Sequence, residues 1–266
     1  MNILKKFKNR LILINKFFMK FLIRKLLKVI YPFYFKKKDE EHNQKTFAKI
    51  GLNNSISLFH QNKKKNCNPN LSLHYDIFFA LGPKFKNKRI NILEIGTFEG
   101  EFTNFLSNEF PDAKIYTLDL PLNDKNFKET YGRIDNKKLY EHLNLRKKNL
   151  LSNNIFFHEL DSLNLISKFK EKKFDIIRID GDHHNPLLKF DIFQAIKLSS
   201  LGTIILVDDI IKKKYSSKYT SNASFETIEY LEKKKYLSTE YFIKRINSDN
   251  LILKKYISYS VVNKLI

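Results

Sequence analysis

The chain has no tryptophan, one cysteine, two methionines, six prolines and seven glycines in 266 residues. A lone Cys67 excludes a disulfide framework and any zinc site built from several thiolates, and it fits a reducing compartment. Arginine is scarce as well, at seven of the 49 basic residues. The guanidinium fork is the better tool for bidentate phosphate and base recognition, so its scarcity weakens a DNA-binding reading of the basic charge. The longest uncharged run in the N-terminal segment is seven residues, against the roughly 20 that a membrane-spanning helix needs. No small-residue cleavage site follows to mark a secretory signal, and no internal repeat is visible. Abundant Lys, Asn, Ile and Phe beside so little Gly, Pro and Trp reflects codon bias in an AT-rich genome.

At about 150 residues per domain, the length accommodates one large domain with extensions or two small ones. An apolar share of 42% with 14% aromatics suffices for a core and excludes global disorder. The formal charge is +21, from 49 basic against 28 acidic groups. Residues 1–38 hold 12 of the basic groups and no acid, which leaves a net of +9 for the remainder. Within that extension Lys16, Lys20, Arg24 and Lys28 recur every four residues and form one stripe on a helix, with Leu, Ile, Phe and Met filling the other faces. A basic amphipathic helix lying on an anionic membrane surface accounts for the pattern. Its rivals are a helix packed on the domain or on a second subunit of a homo-oligomer, and a targeting peptide. The first reading puts the protein in the cytoplasm, peripheral to the inner membrane surface.

Residues 39–70 are polar and read as a linker with one short helix around Thr46–Leu52. From residue 71 to 266 short apolar strands alternate with helical stretches, which predicts an α/β domain. The expected strands are Ile90–Ile95, Lys114–Leu118, Ile155–Glu159, Phe174–Ile179 and Thr203–Val207, with helices over Leu71–Gly82, Glu99–Phe110, Lys137–Leu150, Pro186–Ser200 and Ala223–Lys234. Tyr241–Arg245 and Leu251–Lys255 flank a polar turn and suggest a closing antiparallel hairpin. The architecture is thus a Rossmann-like, doubly wound, mostly parallel sheet with a C-terminal antiparallel hairpin and an N-terminal helical extension. Acidic and glycine residues end the five strands, where an open sheet of this kind places its ligand.

Glu94-Ile95-Gly96-Thr97-Phe98-Glu99-Gly100 follows the first strand. Gly96 allows close backbone approach to a ligand and Gly100 a tight entry into the helix. A dinucleotide fingerprint would have glycine in place of Glu94, so a nicotinamide oxidoreductase is disfavoured, and an acid there suits a cationic ligand. Asp119 ends the second strand, where a carboxylate can bind a ribose diol, and Asp161-Ser162 at the end of the third can bracket an adenine amino group. Asp180 and Asp208 end strands expected to be neighbours, and with Asp209 they form an acidic cluster that needs a cation or protons. Arg178 lies two residues before Asp180 on the same strand face, placed to pair with an acid or to reach a substrate. Cys67, His158 and His184 read as structural.

These residues, ILEIGTFEG at 92–100, Asp119, IDGDHH at 179–184 and VDDI at 207–210, resemble the class I S-adenosylmethionine-dependent methyltransferases over residues 71–257. Within that class they resemble the metal-dependent macrocin- and mycinamicin-type sugar O-methyltransferases. The resemblance implies a cofactor site made by Glu94, Gly96, Thr97, Phe98, Gly100, Asp119, Asp161 and Ser162. It further implies Mg²⁺ on Asp180, Asp208 and Asp209, with His183 as the base beside Asp180. The activity so implied is Mg²⁺-assisted methyl transfer to a hydroxyl of a sugar or other small acceptor, at a membrane surface in glycan or natural-product biosynthesis. The rival readings are an RNA or DNA methyltransferase, which lacks here the Asn/Asp-Pro-Pro-aromatic turn that holds a flipped base, and a non-catalytic membrane-surface module.

Overall fold

A computed structural model of the chain describes residues 36–53, 73–214, 216–217, 220–246 and 254–266. The readings made for Cys67 and for nearly all of the basic extension lie outside these residues.

Seven strands form the main sheet: β1 (Asn91–Ile95), β2 (Lys114–Asp119), β3 (Ile155–Glu159), β4 (Phe174–Ile179), β5 (Ser199–Ile210), β8 (Leu237–Ile246) and β9 (Lys254–Val262). Their order is β3-β2-β1-β4-β5-β9-β8. The first five pair in parallel, while β9 runs antiparallel to both β5 and β8. Two short strands, β6 (Ser216–Ser217) and β7 (Thr220–Ser221), pair separately. The chain steps outward from β1 to β3 and then returns to the other side of β1 at β4. The carboxyl ends of β1 and β4 therefore flank the switch point, where such sheets open a crevice.

Alternation along each strand divides the core into two layers. Ile92, Ile115, Ile176, Ile204 and Leu206 face one side, against α1 (Lys36–Lys49), α2 (Leu73–Phe85) and α3 (Glu101–Glu109). Leu93, Leu118, Ile177, Ile205 and Val207 face the other, against α6 (Leu165–Phe169), α7 (Leu187–Lys197) and α8 (Ala223–Lys233). Among the described residues two further helices, α4 (Lys125–Glu129) and α5 (Asn136–Asn149), lie in the long connection between β2 and β3. Asp124 caps α4 by accepting from the backbone of Asn126 and Phe127, and Asp135 caps α5 through Lys138 N.

The polar segment read as a linker begins with a 14-residue helix rather than a short one at Thr46–Leu52. On α1, Asn43 donates to Ile243 O at 3.0 Å and accepts from Ile243 N at 2.8 Å, while His42 Nε2 lies 2.9 Å from Tyr241 O. Phe47 packs on Phe242 with ring centroids 4.6 Å apart, and Lys254 pairs with Asp39 at 2.5 Å. This helix uses side chains to satisfy the backbone of edge strand β8, which blunts that edge against further pairing. No described helix is long and apolar enough to cross a membrane.

Candidate active site

The turn after β1 is shaped by close approach. Gly96 has φ 100°, and a Cβ there would stand 2.3 Å from the carbonyl oxygen of Asp180, so only glycine fits without displacing the β4 rim. Gly96 N and Thr97 N donate to Leu118 O at 2.9 and 3.1 Å, which ties the turn to β2. Thr97 is buried, its hydroxyl 2.6 Å from that of Thr117. Phe98, at φ 51°, is 42% exposed, and its ring meets Tyr131 at 5.0 Å and His142 at 5.3 Å. Gly100 precedes α3 in the left-handed conformation, with φ 76°.

Glu94 is completely buried, which differs from the ligand-facing acid expected. It accepts from Thr103 at 2.5 Å, Thr117 at 2.7 Å and Arg178 Nη1 at 2.9 Å. Burial pushes its carboxyl up, against the pull of the Arg178 guanidinium and the two hydroxyls. It therefore anchors α3, β2 and β4 to β1, and it presents no charge to the cleft. Arg178 also bonds Asp180, and its guanidinium lies 4.3 Å from the centroid of the Phe102 ring.

Asp119 stands at the end of β2 as expected. Leu120 N donates to its Oδ1 at 2.9 Å; Phe98 N and Arg146 Nη2 donate to its Oδ2 at 3.0 and 2.7 Å. Arg146 arrives from α5, donates from Nε to Phe98 O at 2.7 Å, and places Nη2 2.8 Å from His142 Nε2. Arg133 approaches the same nitrogen at 3.3 Å and stacks 3.8 Å above the Phe127 ring. Burial, Arg146 and Arg133 push the His142 imidazole down to about 4, so its Nε2 is a neutral acceptor between two guanidinium groups. Above this group the Thr130–Gly132 turn holds Tyr131 at φ 56°, 73% exposed. Asp180, Asp209 and Asp119 all push its phenol up, after burial and against Arg133.

Asp161 caps the Ser162–Asn164 turn by accepting from Leu163 N at 2.9 Å. Gln194 on α7 donates to Ser162 O at 2.9 Å. Asp191, one turn earlier, is buried, bonded by the Ser162 side chain, and pushed up to about 7 chiefly by burial.

At the rim of β4 and β5 the structure gathers the expected acids around cations of the chain itself. Lys244 Nζ donates to both oxygens of Asp208 at 2.7 Å and to Asp209 Oδ1 at 3.0 Å, while Lys255 pairs with Asp209 Oδ2. Arg178 Nη2 is 3.9 Å from Asp208. Burial pushes Asp208 up, but Lys244 and Arg178 overcome it and hold the carboxyl well below the usual carboxylate range. Asp209, at φ 52°, sits where the β5–β9 register shifts between Val207 and Ile210. His74 on α2 lies 4.0 Å from Asp208 and is pushed down to about 3 by burial and Arg178. His183 Nε2 stands 3.9 Å from Asp180 Oδ1, and Ser221 bonds the His183 carbonyl at 2.6 Å. His184 turns back on Asp182, its Nδ1 3.1 Å from Asp182 Oδ1.

The expected Mg²⁺ cage is therefore corrected. Its three carboxylates are already paired with Arg178, Lys244 and Lys255. Among the described residues no group of three or more His, Cys, Asp or Glu is arranged to hold a metal. Magnesium demands near-ideal octahedral oxygen coordination, and ammonium groups at hydrogen-bond distance do not supply it. Arg178 announced itself as one cation in an apolar strand. Nothing distinguished Lys244, Lys255 or Arg146 among so many basic residues.

Residues 93–210 match a family described as a methyltransferase domain. Among solved structures the chain is similar to cofactor-bound Rv0187 from MTB, at 17% identity and TM-score 0.54, covering 78% of this chain and 88% of that one. It is also similar to the O-methyltransferase from Bacillus cereus in complex with SAH, at 18% identity and TM-score 0.50, covering 90% and 97%. No curated protein matches the chain. Strand order and the switch point between β1 and β4 give the chain the fold of these two structures.

Proposed function

We propose that the enzyme methylates a hydroxyl of a small acceptor, a sugar or glycan, and that its basic N-terminal segment holds it at an anionic membrane surface. The observation that supports this most is the placement of Gly96, Asp119, Ser162, Asp180 and His183 at the carboxyl ends of successive strands around one crevice. In this reading the Gly96–Gly100 turn approaches the methionyl part of the cofactor. Asp119 accepts from the ribose: a carboxylate offers about four acceptor positions, three of them used by Leu120, Phe98 and Arg146. Asp161 and Ser162 flank the adenine.

The acceptor oxygen forms a bond to the methyl carbon as the carbon–sulfur bond breaks, and its electron pair returns to sulfur to leave a neutral thioether. An alcohol is too weak an acid to do this unaided at neutral pH, so a base must take its proton. Arg178 holds one oxygen of Asp180, and the other faces His183 Nε2 at 3.9 Å. An imidazole with Nε2–H directed at Asp180 has Nδ1 available for that proton. Holding the acceptor oxygen in line with the methyl group contributes several kcal/mol more.

Calorimetry of S-adenosylhomocysteine with wild type and Asp119→Asn tests the cofactor site. A loss of tenfold or more, about 1.4 kcal/mol, is expected for the variant, and a folded wild type that does not bind would refute the reading. Flotation with anionic liposomes, with and without residues 1–35, tests the membrane part; equal flotation of both forms would remove it.

A further inference from the structure

The acidic cluster at the β4–β5 rim is one part of a longer row of alternating charge. Glu94, Arg178 and Asp208 project to the sheet face covered by α2 and α3, beside Ile92, Ile176 and Leu206. The row then runs through Lys244 to Asp209 and ends at Lys255. Lys244 is placed by a device that strand geometry alone does not provide. Ile243 pairs with Tyr256 and Arg245 with Lys255, so two residues of β8 span one step of β9 and Lys244 occupies the bulge. A bulge re-aims the side chain it carries. Here the ammonium is brought onto both oxygens of Asp208, with only 8% of the Lys244 side chain exposed.

We infer that Lys244, flanked by Arg178 and Lys255, takes the place a divalent cation would need, so that this enzyme binds its cofactor and acceptor with no metal ion at the site. Four carboxylates (Glu94, Asp180, Asp208 and Asp209) share three cations within the described cluster. At most one negative charge is left over. A dication would therefore leave the cluster net positive beside a cationic sulfonium, an argument that rests on the methyl-transfer reading. An entering Mg²⁺ would also have to expel an ammonium that already uses both oxygens of Asp208. A buried lysine freed of its carboxylates would then lie next to the ion, where like-charge repulsion and burial both oppose it. The proton of the acceptor accordingly goes to the Asp180–His183 pair, and the lysines keep the two carboxylates of β5 from repelling the one at β4.

The test uses full-length protein freed of metal by chelation. Mn²⁺ binding is followed by electron paramagnetic resonance, and S-adenosylhomocysteine affinity is measured in EDTA and in excess Mg²⁺. Wild type is expected to bind no stoichiometric Mn²⁺ and to hold S-adenosylhomocysteine equally in both conditions. Lys244→Met removes the ammonium and is expected to raise Mn²⁺ affinity at least about tenfold, because it takes away the one cation that bonds both Asp208 and Asp209. Lys255→Met, at the outer end of the row, should show a smaller gain if Lys244→Met does not fold. One Mn²⁺ per wild-type chain that disappears in Asp208→Asn would overturn the inference, as would S-adenosylhomocysteine binding that needs Mg²⁺. Failure of wild type to bind S-adenosylhomocysteine in either condition would count against methyl transfer alone, and the Mn²⁺ result would still decide the cation question.

Discussion

Asp191 offers the sharpest quantitative handle on the fold around the crevice. It lies on α7, is 1% exposed, accepts from the Ser162 side chain, and has one oxygen without a hydrogen-bond partner among the described residues. Burial, with Asp161 and Asp182 nearby, raises its carboxyl from 3.8 to about 7. The sign follows from linkage. Below pH 4 the group is protonated in both states and costs nothing. Between 4 and 7 the unfolded chain releases the proton while the native state keeps it, so stability falls as pH rises, and above 7 the loss levels off. Each pH unit in that window is worth about 1.36 kcal/mol, and the whole rise amounts to ~4 kcal/mol at pH 8, with roughly 2.5 of it lost between pH 5 and pH 8. Asp191→Asn has the shape of the protonated acid without its titration. Its stability advantage over wild type should therefore widen by about 2.5 kcal/mol between pH 5 and pH 8 in urea unfolding followed by circular dichroism. A gap that stays constant over this range would show that Asp191 is already ionised in the native state and that a cation or water serves it.

Two further substitutions probe the crevice. Gly96→Ala forces a Cβ to within 2.3 Å of Asp180 O at φ 100°. Backbone strain alone is worth about 1–3 kcal/mol, so a lower melting temperature and loss of S-adenosylhomocysteine binding are expected by scanning fluorimetry and calorimetry. Arg178→Met strands Glu94, which is fully buried, and Asp180. A loss of about 3–5 kcal/mol is expected in urea unfolding, as for other buried pairs broken on one side, and the double variant Glu94→Gln, Arg178→Met should regain part of it.

Much of this arrangement was legible in the chain. The five parallel strands stand within a few residues of their expected places because unbroken Ile/Leu/Val runs carry that signal. Asp119 and Asp180 also stand at the ends of the strands they were expected to end, whereas β5 runs past Asp208 and Asp209 to Ile210. What failed was the state of the acids. Pairing depends on which of many lysines a bulge in β8 turns inward, and nothing in KRIN or KKYI marks one lysine from the next. Glu94 was placed correctly and given the wrong partner, because its donors Thr103, Thr117 and Arg178 come from three other elements, α3, β2 and β4. Helix α1 was underestimated for a similar reason. KKKDEEHNQKTFAK buries little apolar surface beyond Phe47, and polar side chains reaching strand backbone hold it in place, which leaves no period to read. The last strand, Lys254–Val262, lies beyond the hairpin half expected at Leu251–Lys255, since the register was set by packing on β5 and not by the turn.

Helix α1 and the charged rim are mechanically one unit. Asn43 brackets Ile243 with bonds to both its N–H and its carbonyl, immediately before the bulge that aims Lys244 at Asp208 and Asp209. On the neighbouring strand, Asp39 holds Lys254, one residue before Lys255. If the helix fixes the bulge, losing Asn43 must weaken the Lys244 pairs as well as its own two bonds, which are worth about 0.5–1.5 kcal/mol each. A double-mutant cycle of Asn43→Ala and Lys244→Met should then show a coupling energy of at least about 0.5 kcal/mol, although the two side chains interact only through the backbone between them. In the same proteins Asn43→Ala alone should begin to admit Mn²⁺, as Lys244→Met does more strongly, because an ammonium that is no longer aimed yields its place. Strict additivity with no Mn²⁺ signal would mean that α1 only covers an edge, and that β9 by itself sets the position of Lys244.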